Sequence, residues 1–305
     1  MIPIRKLNSL SDELNIDLRM IDESYFPSYL GGSKARKIIP IINDAKKYGS
    51  NAIVSAGSAN SNHARVVALA AAELGWKCHL IIHDNEDYTK ANLQLMKLSG
   101  ANLTFCSLDQ VAVKMDEAMA LYQDDGLIPY YIWGGGHGVE GTSAFYDAVH
   151  EYQDEFIKWT PDYIFRASGT GGTQAGLHVG FAELFPESKV IGISVARTKE
   201  RGQQVVCDEA NLLAKKLGLN SIEKNEIYFY DEWVGGGYGM QYPELLATIS
   251  HAAKNEGLIT DPTYTGKALT ALFDMVAQNK IPQDSNVLFW HSGGIFNLFE
   301  FYKDL

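Results

Sequence analysis

The stretch Gly169–Gly176 reads GTGGTQAG, placed after an apolar run and before a helical pattern. Glycines there let backbone N–H groups converge on an anion, and a helix N-terminus adds the positive end of its dipole. A dinucleotide fingerprint would need glycine where Gln174 stands, and no acidic residue follows at Val195, Ala196 or Arg197 to hold a ribose diol. The Gly-Lys-Ser/Thr of a P-loop is missing as well. The stretch suits a lone monophosphate, or else a bare strand-to-helix turn. Gly31–Lys37 reads GGSKARK, with Lys34 directly after Gly-Gly-Ser at a loop-to-helix junction. A lysine held in a cleft near other cations loses proton affinity and becomes an amine nucleophile or Schiff-base former. Arg36 and Lys37 read as an ordinary solvated basic face.

Three further stretches carry polar groups at element ends. Ser58–Arg65 (SANSNHAR) opens a helix, where Asn60 or Ser61 can serve as N-cap. Ser61, Asn62 and His63 are equally suited to grip a carboxylate or a ring oxygen. His291–Gly294 (HSGG) ends the last apolar run, and Thr260–Lys267 (TDPTYTGK) brings Tyr264 and Thr265 to another loop-to-helix junction. His79 and His83 share one face of an expected strand, yet no Cys or carboxylate cluster accompanies them, so no metal site is expected. HExxH, paired CxxC and GxSxG are all absent.

These residues need a scaffold, and the apolar periodicity supplies one. Asn51–Ala56, Lys77–His83, Asn102–Cys106 and Tyr130–Trp133 read as buried strands, with a helix at Asn62–Gly75 between the first two. Asp162–Ala167, Lys189–Val195 and Asn286–His291 form a second strand set, with a helix from Thr173 through Leu184. Alternating βαβ units imply parallel sheets covered on both faces. The chain has 305 residues, room for about two domains, with 46% hydrophobic and 21% charged residues. Its formal charge of −11 argues against a nucleic-acid partner. No apolar run is long enough for a membrane span, and the N-terminus does not read as a signal peptide. Cys78, Cys106 and Cys207 read as reduced thiols of a cytoplasmic protein.

Taken together, these stretches resemble the pyridoxal-phosphate (PLP) enzymes of fold type II, the tryptophan synthase β-subunit fold. They are most similar to the branch holding D-cysteine desulfhydrase and 1-aminocyclopropane-1-carboxylate (ACC) deaminase. GGSKARK resembles GGNKxRK, whose first lysine, here Lys34, holds the cofactor. SNHAR resembles SN[HQ]xR, which implies Ser61 at the substrate and Asn62 beside the cofactor ring, with His63 next to them. GTGGTQAG resembles the phosphate cup, implicating Gly169, Thr170, Gly171, Gly172 and Thr173. GYG at Gly237–Gly239 and TDPTYTGK resemble the segments supplying active-site tyrosines, here Tyr238 and Tyr264. HSGG resembles the strand end facing the pyridine nitrogen, here Ser292. The chain departs from the pattern at Ser33, Asn60, Met240–Tyr242 and the Gly134–Gly138 loop (GGGHG).

The resemblance implies an α/β fold of two open parallel-sheet domains with the cofactor in the cleft between them. Residues 1–39 and 149–305 would form the large domain and 40–148 the small one. It further implies a homodimer and α,β-elimination on a small amino acid, giving pyruvate, ammonia and, from D-cysteine, sulfide. Lys34 would act as general base and Ser61 would hold the substrate carboxylate. Thr265 and Ser292, hydroxyls where ACC deaminases carry a carboxylate and an apolar residue, favour elimination over ring opening. ACC deamination, β-replacement and racemisation are the alternatives on the same scaffold. A non-catalytic binder of a phosphorylated ligand is the alternative from another class, and retention of Lys34, Ser61 and both tyrosines speaks against it.

Overall fold

The computed structural model describes residues 1–86 and 90–300, with the side chain of residue 300 excluded. The chain opens with β1 (Arg5–Lys6), α1 (Asn8–Leu14), β2 (Asp17–Asp22) and α2 (Ser33–Lys47). It continues through β3 (Ala52–Gly57), α3 (Asn62–Glu73), β4 (Lys77–Ile82), α4 (Ala91–Leu98), β5 (Asn102–Phe105), α5 (Val111–Asp124) and β6 (Pro129–Ile132). Then come α6 (Val139–Glu151), α7 (Gln153–Lys158), β7 (Tyr163–Ser168), α8 (Gly172–Leu184), β8 (Lys189–Ser194), α9 (Lys199–Leu217) and β9 (Tyr228–Tyr230). The last elements are α10 (Pro243–Glu256), α11 (Thr265–Ala277) and β10 (Asn286–His291).

The strands form two sheets, ordered β1-β2-β10-β7-β8-β9 and β5-β4-β3-β6. Every pairing is parallel except that of the two-residue edge strand β1 with β2. The strands expected from the sequence are all present. β1, β2 and β9 are additions, and β2 (DLRMID) hides its character because it carries Arg19. That guanidinium is paired with Asp17 at 3.0 Å and stacked over the Trp159 ring, so a charge is tolerated near the sheet edge. His83 falls just beyond β4, contrary to expectation, although its N–H still donates to Gly57 O of β3 at 3.1 Å.

Helices cover both faces of each sheet, as parallel strands require. On the six-stranded sheet, α1, α10 and α11 bury Leu10, Leu269 and Leu272 against Phe165 and Phe289. On its other face, α6, α7 and α8 bury Phe145, Phe156 and Phe181 against Ile164 and Trp290. On the four-stranded sheet, α2, α3 and α4 pack Ile38, Val67 and Met96 over Ile53 and Leu80, while α5 packs Met115 and Ala118 over Val54 and Ile81. Local signals fix the ends: Ser61 Oγ accepts from Ala64 N–H at 3.1 Å to cap α3, and Gly218 and Gly257 stop α9 and α10 in the left-handed conformation. Strand order reverses beside β10 and β7 in one sheet and beside β3 and β6 in the other. Open α/β sheets bind ligands at such points, outside the carboxyl ends of the strands. Among the described residues, no helix is long and apolar enough to cross a membrane.

Candidate active site

A cavity of about 780 Å³ lies between the carboxyl ends of the two sheets. Lys34, Ser61, Asn62, His63, Gly169, Thr170, Gly171, Thr173, Tyr238, Tyr264 and Ser292 all line it. Of the glycine-loop residues singled out in the sequence, Gly172, the first residue of α8, does not itself line the cavity.

Lys34 enters from the first turn of α2. The approach to it is tight: Gly31 has φ +69°, and a Cβ there would stand 2.1 Å from Ser24 O. Ser33 N–H donates to Ser292 O at 2.9 Å, which ties the start of α2 to the end of β10. Lys34 Nζ donates to Gly135 O at 2.9 Å. Burial, then the nearby Lys37 and Arg166 charges, hold this amine well below the ordinary lysine range. A neutral amine at neutral pH is what a Schiff-base former or general base requires.

Arg36 and Lys37 are buried, which corrects the expectation of a solvated face. Arg36 pairs with the buried Glu23 at 3.0 Å and with Glu151 at 2.8 Å. Lys37 donates to the same Gly135 carbonyl at 3.1 Å, and burial lowers its pKa to about 8. Its Nζ stands against the phosphate-loop candidate, since a Cβ on Gly172 would meet it at 3.1 Å. Both lysines lie on the apolar stripe formed with Ile38, Ile41 and Ala45, a signal available at helical spacing.

The GGGHG loop explains this convergence. His137 Nε2 meets Glu209 Oε1 at 3.0 Å, while Glu209 Oε2 accepts from Gly138 N–H at 3.1 Å and Thr142 Oγ1 at 2.8 Å. The buried Glu209 thereby anchors the loop whose Gly135 carbonyl serves both lysines. Gly135 must be glycine, because a Cβ there would stand 2.5 Å from Thr170 Cγ2.

The loop Gly169–Thr173 crosses from β7 to α8 with Gly171 at φ +93°, and no side chain caps the first turn of α8. Arg197 donates to Gly169 O. Below the loop, Arg166 projects from β7 into the cavity. It is only 6% exposed, yet it makes no hydrogen bond or ion pair among the described residues, and burial lowers it to about 9. An uncapped helix start, a buried guanidinium and the Lys37 ammonium form a convergent set of donors. A phosphate monoester fits it.

Across the cavity, Asn62 Oδ1 accepts from Asn92 at 3.1 Å, so the amide is held with its Nδ2 beside Gly294. His63 is buried and bonded to Ser55 Oγ at 3.0 Å; burial, with Lys34 and Lys37 nearby, pushes its pKa well down, so it is neutral. The Tyr238 and Tyr264 hydroxyls bond to each other, with the rings edge to face at 5.9 Å. Burial, then the Tyr238 hydroxyl and the Asp261 carboxylate, raises the Tyr264 phenol. Thr265, paired with Ser292 in the sequence reading, does not line the cavity. Its hydroxyl is committed to Asp261 at 2.8 Å, which also accepts from the N–H groups of Thr263, Tyr264 and Thr265. Ser292 alone of that pair lines the cavity. Among the described residues, no group of three or more His, Cys, Asp or Glu side chains is placed to hold a metal ion.

A buried amine beside an anion cradle, at the reversal points of two parallel sheets, defines a class of cofactor enzyme. Residues 1–293 match the family described as pyridoxal-phosphate dependent enzymes, and the chain belongs to that family. Its cofactor is PLP. The chain is similar to the D-cysteine desulfhydrases of Yersinia enterocolitica and Serratia proteamaculans, at 33% and 31% identity. Both alignments cover 99% of this chain and 94% of the relative. A crystal structure described as an ACC deaminase homologue superimposes with a TM-score of 0.89 at 30% identity, over 99% of this chain and 92% of the other. Threonine deaminase isoform 2 from Solanum lycopersicum shares the fold, with a TM-score of 0.70 at 17% identity over 99% and 81% of the two chains. The chain is a PLP-dependent lyase of this desulfhydrase and deaminase branch.

Proposed function

We propose that this enzyme eliminates the β-substituent of a small D-amino acid, D-cysteine foremost, to release pyruvate, ammonia and sulfide. The observation that carries the reading is the Lys34 amine. Burial and two neighbouring cations lower its proton affinity, and it stands in a cavity that has an anion cradle on one side and the α3 helix start on the other. PLP supplies the electron sink that lets the Cα–H bond break. Lys34 holds the cofactor, and once freed as an amine it removes the α-proton. Ser61 and the α3 N-terminus bind the substrate carboxylate, which their N–H groups and dipole favour. Asn62, oriented by Asn92, would hydrogen-bond the cofactor ring, with His63 neutral beside it. Gly169, Thr170, Gly171, Gly172 and Thr173 hold the phosphate. Tyr238 and Tyr264, whose hydroxyls are hydrogen-bonded to each other, line the cavity and would supply a proton to the departing sulfur.

The neutral Ser292 hydroxyl at the end of β10 supports a modest electron sink, enough when sulfide leaves but weak for opening an unactivated ring. In the same reading the enzyme is a cytoplasmic homodimer, its small domain spans residues 40–148, and its large domain spans 1–39 and 149–305. The test is a visible absorption spectrum of the purified protein beside Lys34→Ala, followed by additions of D-cysteine, L-cysteine and ACC. A cofactor band that is lost in the variant, with pyruvate formed from D-cysteine alone, supports the proposal. Pyruvate from L-cysteine alone, 2-oxobutyrate from ACC, or no product from any of the three overturns it.

A further inference from the structure

Lys267 is a buried cation that plays no part in the chemistry described so far. It lies in the first turn of α11 and is 0% exposed. Burial lowers its pKa to about 8, although the Asp261 carboxylate draws it the other way. That carboxylate is already occupied by the N–H groups of Thr263, Tyr264 and Thr265 and by the Thr265 hydroxyl. Lys267 Nζ donates instead to two backbone carbonyls, Val234 O at 2.7 Å and Gly237 O at 2.9 Å. A buried ammonium is costly unless its donors are used, and both of these bonds go to one loop.

The loop needs such a hold. Residues 234–239 read VGGGYG, with Gly235, Gly237 and Gly239 at φ +67°, +135° and +71°. Backbone this rich in glycine has many conformations open to it and cannot by itself fix a side chain. It nevertheless carries Tyr238 into the cavity, where the hydroxyl bonds to that of Tyr264. Gly237 O also accepts from Met240 N–H at 3.2 Å, closing the turn on which Tyr238 sits, so Lys267 holds that turn at its first residue. Tyr264 immediately precedes α11, three residues before Lys267. One helix start therefore supplies one tyrosine and grips the backbone just before the other. Two turns further along the same helix, Asp274 accepts from Trp233 Nε1 at 2.6 Å and anchors the approach to the loop.

We propose that Lys267 is a positioning residue for proton transfer: by clamping the carbonyls of Val234 and Gly237, it holds the glycine loop so that the Tyr238 hydroxyl stands against Tyr264 in the cavity. This inference rests on the reading of the two tyrosines as the proton source for elimination. Lys267 touches neither substrate nor cofactor in this role and acts only through Tyr238.

The holoenzymes of the parent, Lys267→Met, Tyr238→Phe and the double variant are compared for kcat and KM with D-cysteine, for cofactor absorbance, and for amide hydrogen exchange over residues 234–240. Methionine nearly keeps the volume and removes the donors. Lys267→Met should retain the cofactor band, lower kcat by about tenfold or more with KM changed less, and speed exchange in the loop by about tenfold or more. In the Tyr238→Phe background the same substitution should lower kcat by about twofold or less, because the group it positions is already gone. An equal loss of kcat in both backgrounds overturns the proposal, as does unchanged loop exchange in Lys267→Met. Should Lys267→Met fail to fold, Lys267→Arg, which keeps the charge and sets the donors further out, is put through the same cycle and read by the same criteria. If Tyr238→Phe keeps full kcat, or D-cysteine is not turned over at all, the proton-source or the elimination reading falls, and loop exchange alone decides whether Lys267 holds the loop.

Discussion

Replacing Lys37 with methionine should make the apoprotein more stable and the cofactor weaker, two effects of opposite sign from one atom. Lys37 is 1% exposed, and its pKa is about 8 against an ordinary 10.5. At 1.36 kcal/mol per tenfold change in proton affinity, keeping that ammonium charged costs the apoprotein about 3 kcal/mol at neutral pH. The folded chain binds this proton less tightly than the unfolded one. The cost is therefore full below about pH 8 and fades as pH rises toward 10.5. Methionine nearly conserves the volume, which limits the packing loss. The variant should consequently unfold at a higher temperature as apoprotein at pH 7, with the advantage gone near pH 10. A phosphate beside Gly172 would lose one charge-assisted hydrogen bond, about 1.5–3 kcal/mol, so PLP should bind about 10- to 150-fold more weakly. The assays are thermal unfolding of apoprotein across pH and equilibrium titration of PLP. An apo-variant less stable than the parent, with PLP affinity unchanged, would refute the reasoning; it would make Lys37 a structural partner of Glu209 and nothing more.

Other expectations follow from the same geometry. Arg166→Leu removes the unpaired guanidinium from the anion cradle and should weaken PLP by about 10-fold or more while leaving apoprotein stability equal or raised; unchanged affinity by PLP titration would detach Arg166 from the phosphate. Gly31→Ala places a Cβ 2.1 Å from Ser24 O at a positive φ, and should cost about 2–4 kcal/mol in urea unfolding and displace Lys34, seen as a lost or shifted cofactor band. Asp22 is held at about 2 against its buried surroundings by hydrogen bonding and attraction to His291, at 2.8 Å, and by Ser24. A carboxylate lowered from 3.8 contributes about 2 kcal/mol above that pH and loses it as pH falls toward 2. His291→Ala should flatten that part of the pH–stability curve; an unaltered curve between pH 4 and 2 would contradict the pairing.

The amino-acid sequence by itself determined the fold class and most of the cavity. Apolar runs such as AIVSA, KVIGI and NVLFW have one stable use, as strands buried on both faces, and glycine-polar stretches after them are chemically suited to ligand ends. Lys34, Ser61, Asn62, Gly169–Thr173 and Tyr264 could therefore be singled out from residue type and position, while Tyr238 and the place of Ser292 came from the family resemblance. Three buried ionic groups were also legible in principle, because Arg166 interrupts YIFRAS and Lys37 and Glu209 occupy apolar helix faces. Their partners were not. Lys34 and Lys37 share a carbonyl about a hundred residues away. Glu209 is placed by His137, Gly138 and Thr142 on a different helix and its approach, and Thr265 spends its hydroxyl on Asp261 rather than in the cavity. Spacing along the chain reports which face a residue takes within its own element. Whether a charge there is repelled, neutralised or left waiting for an anion depends on what other elements bring within a few ångströms, and only tertiary packing decides that.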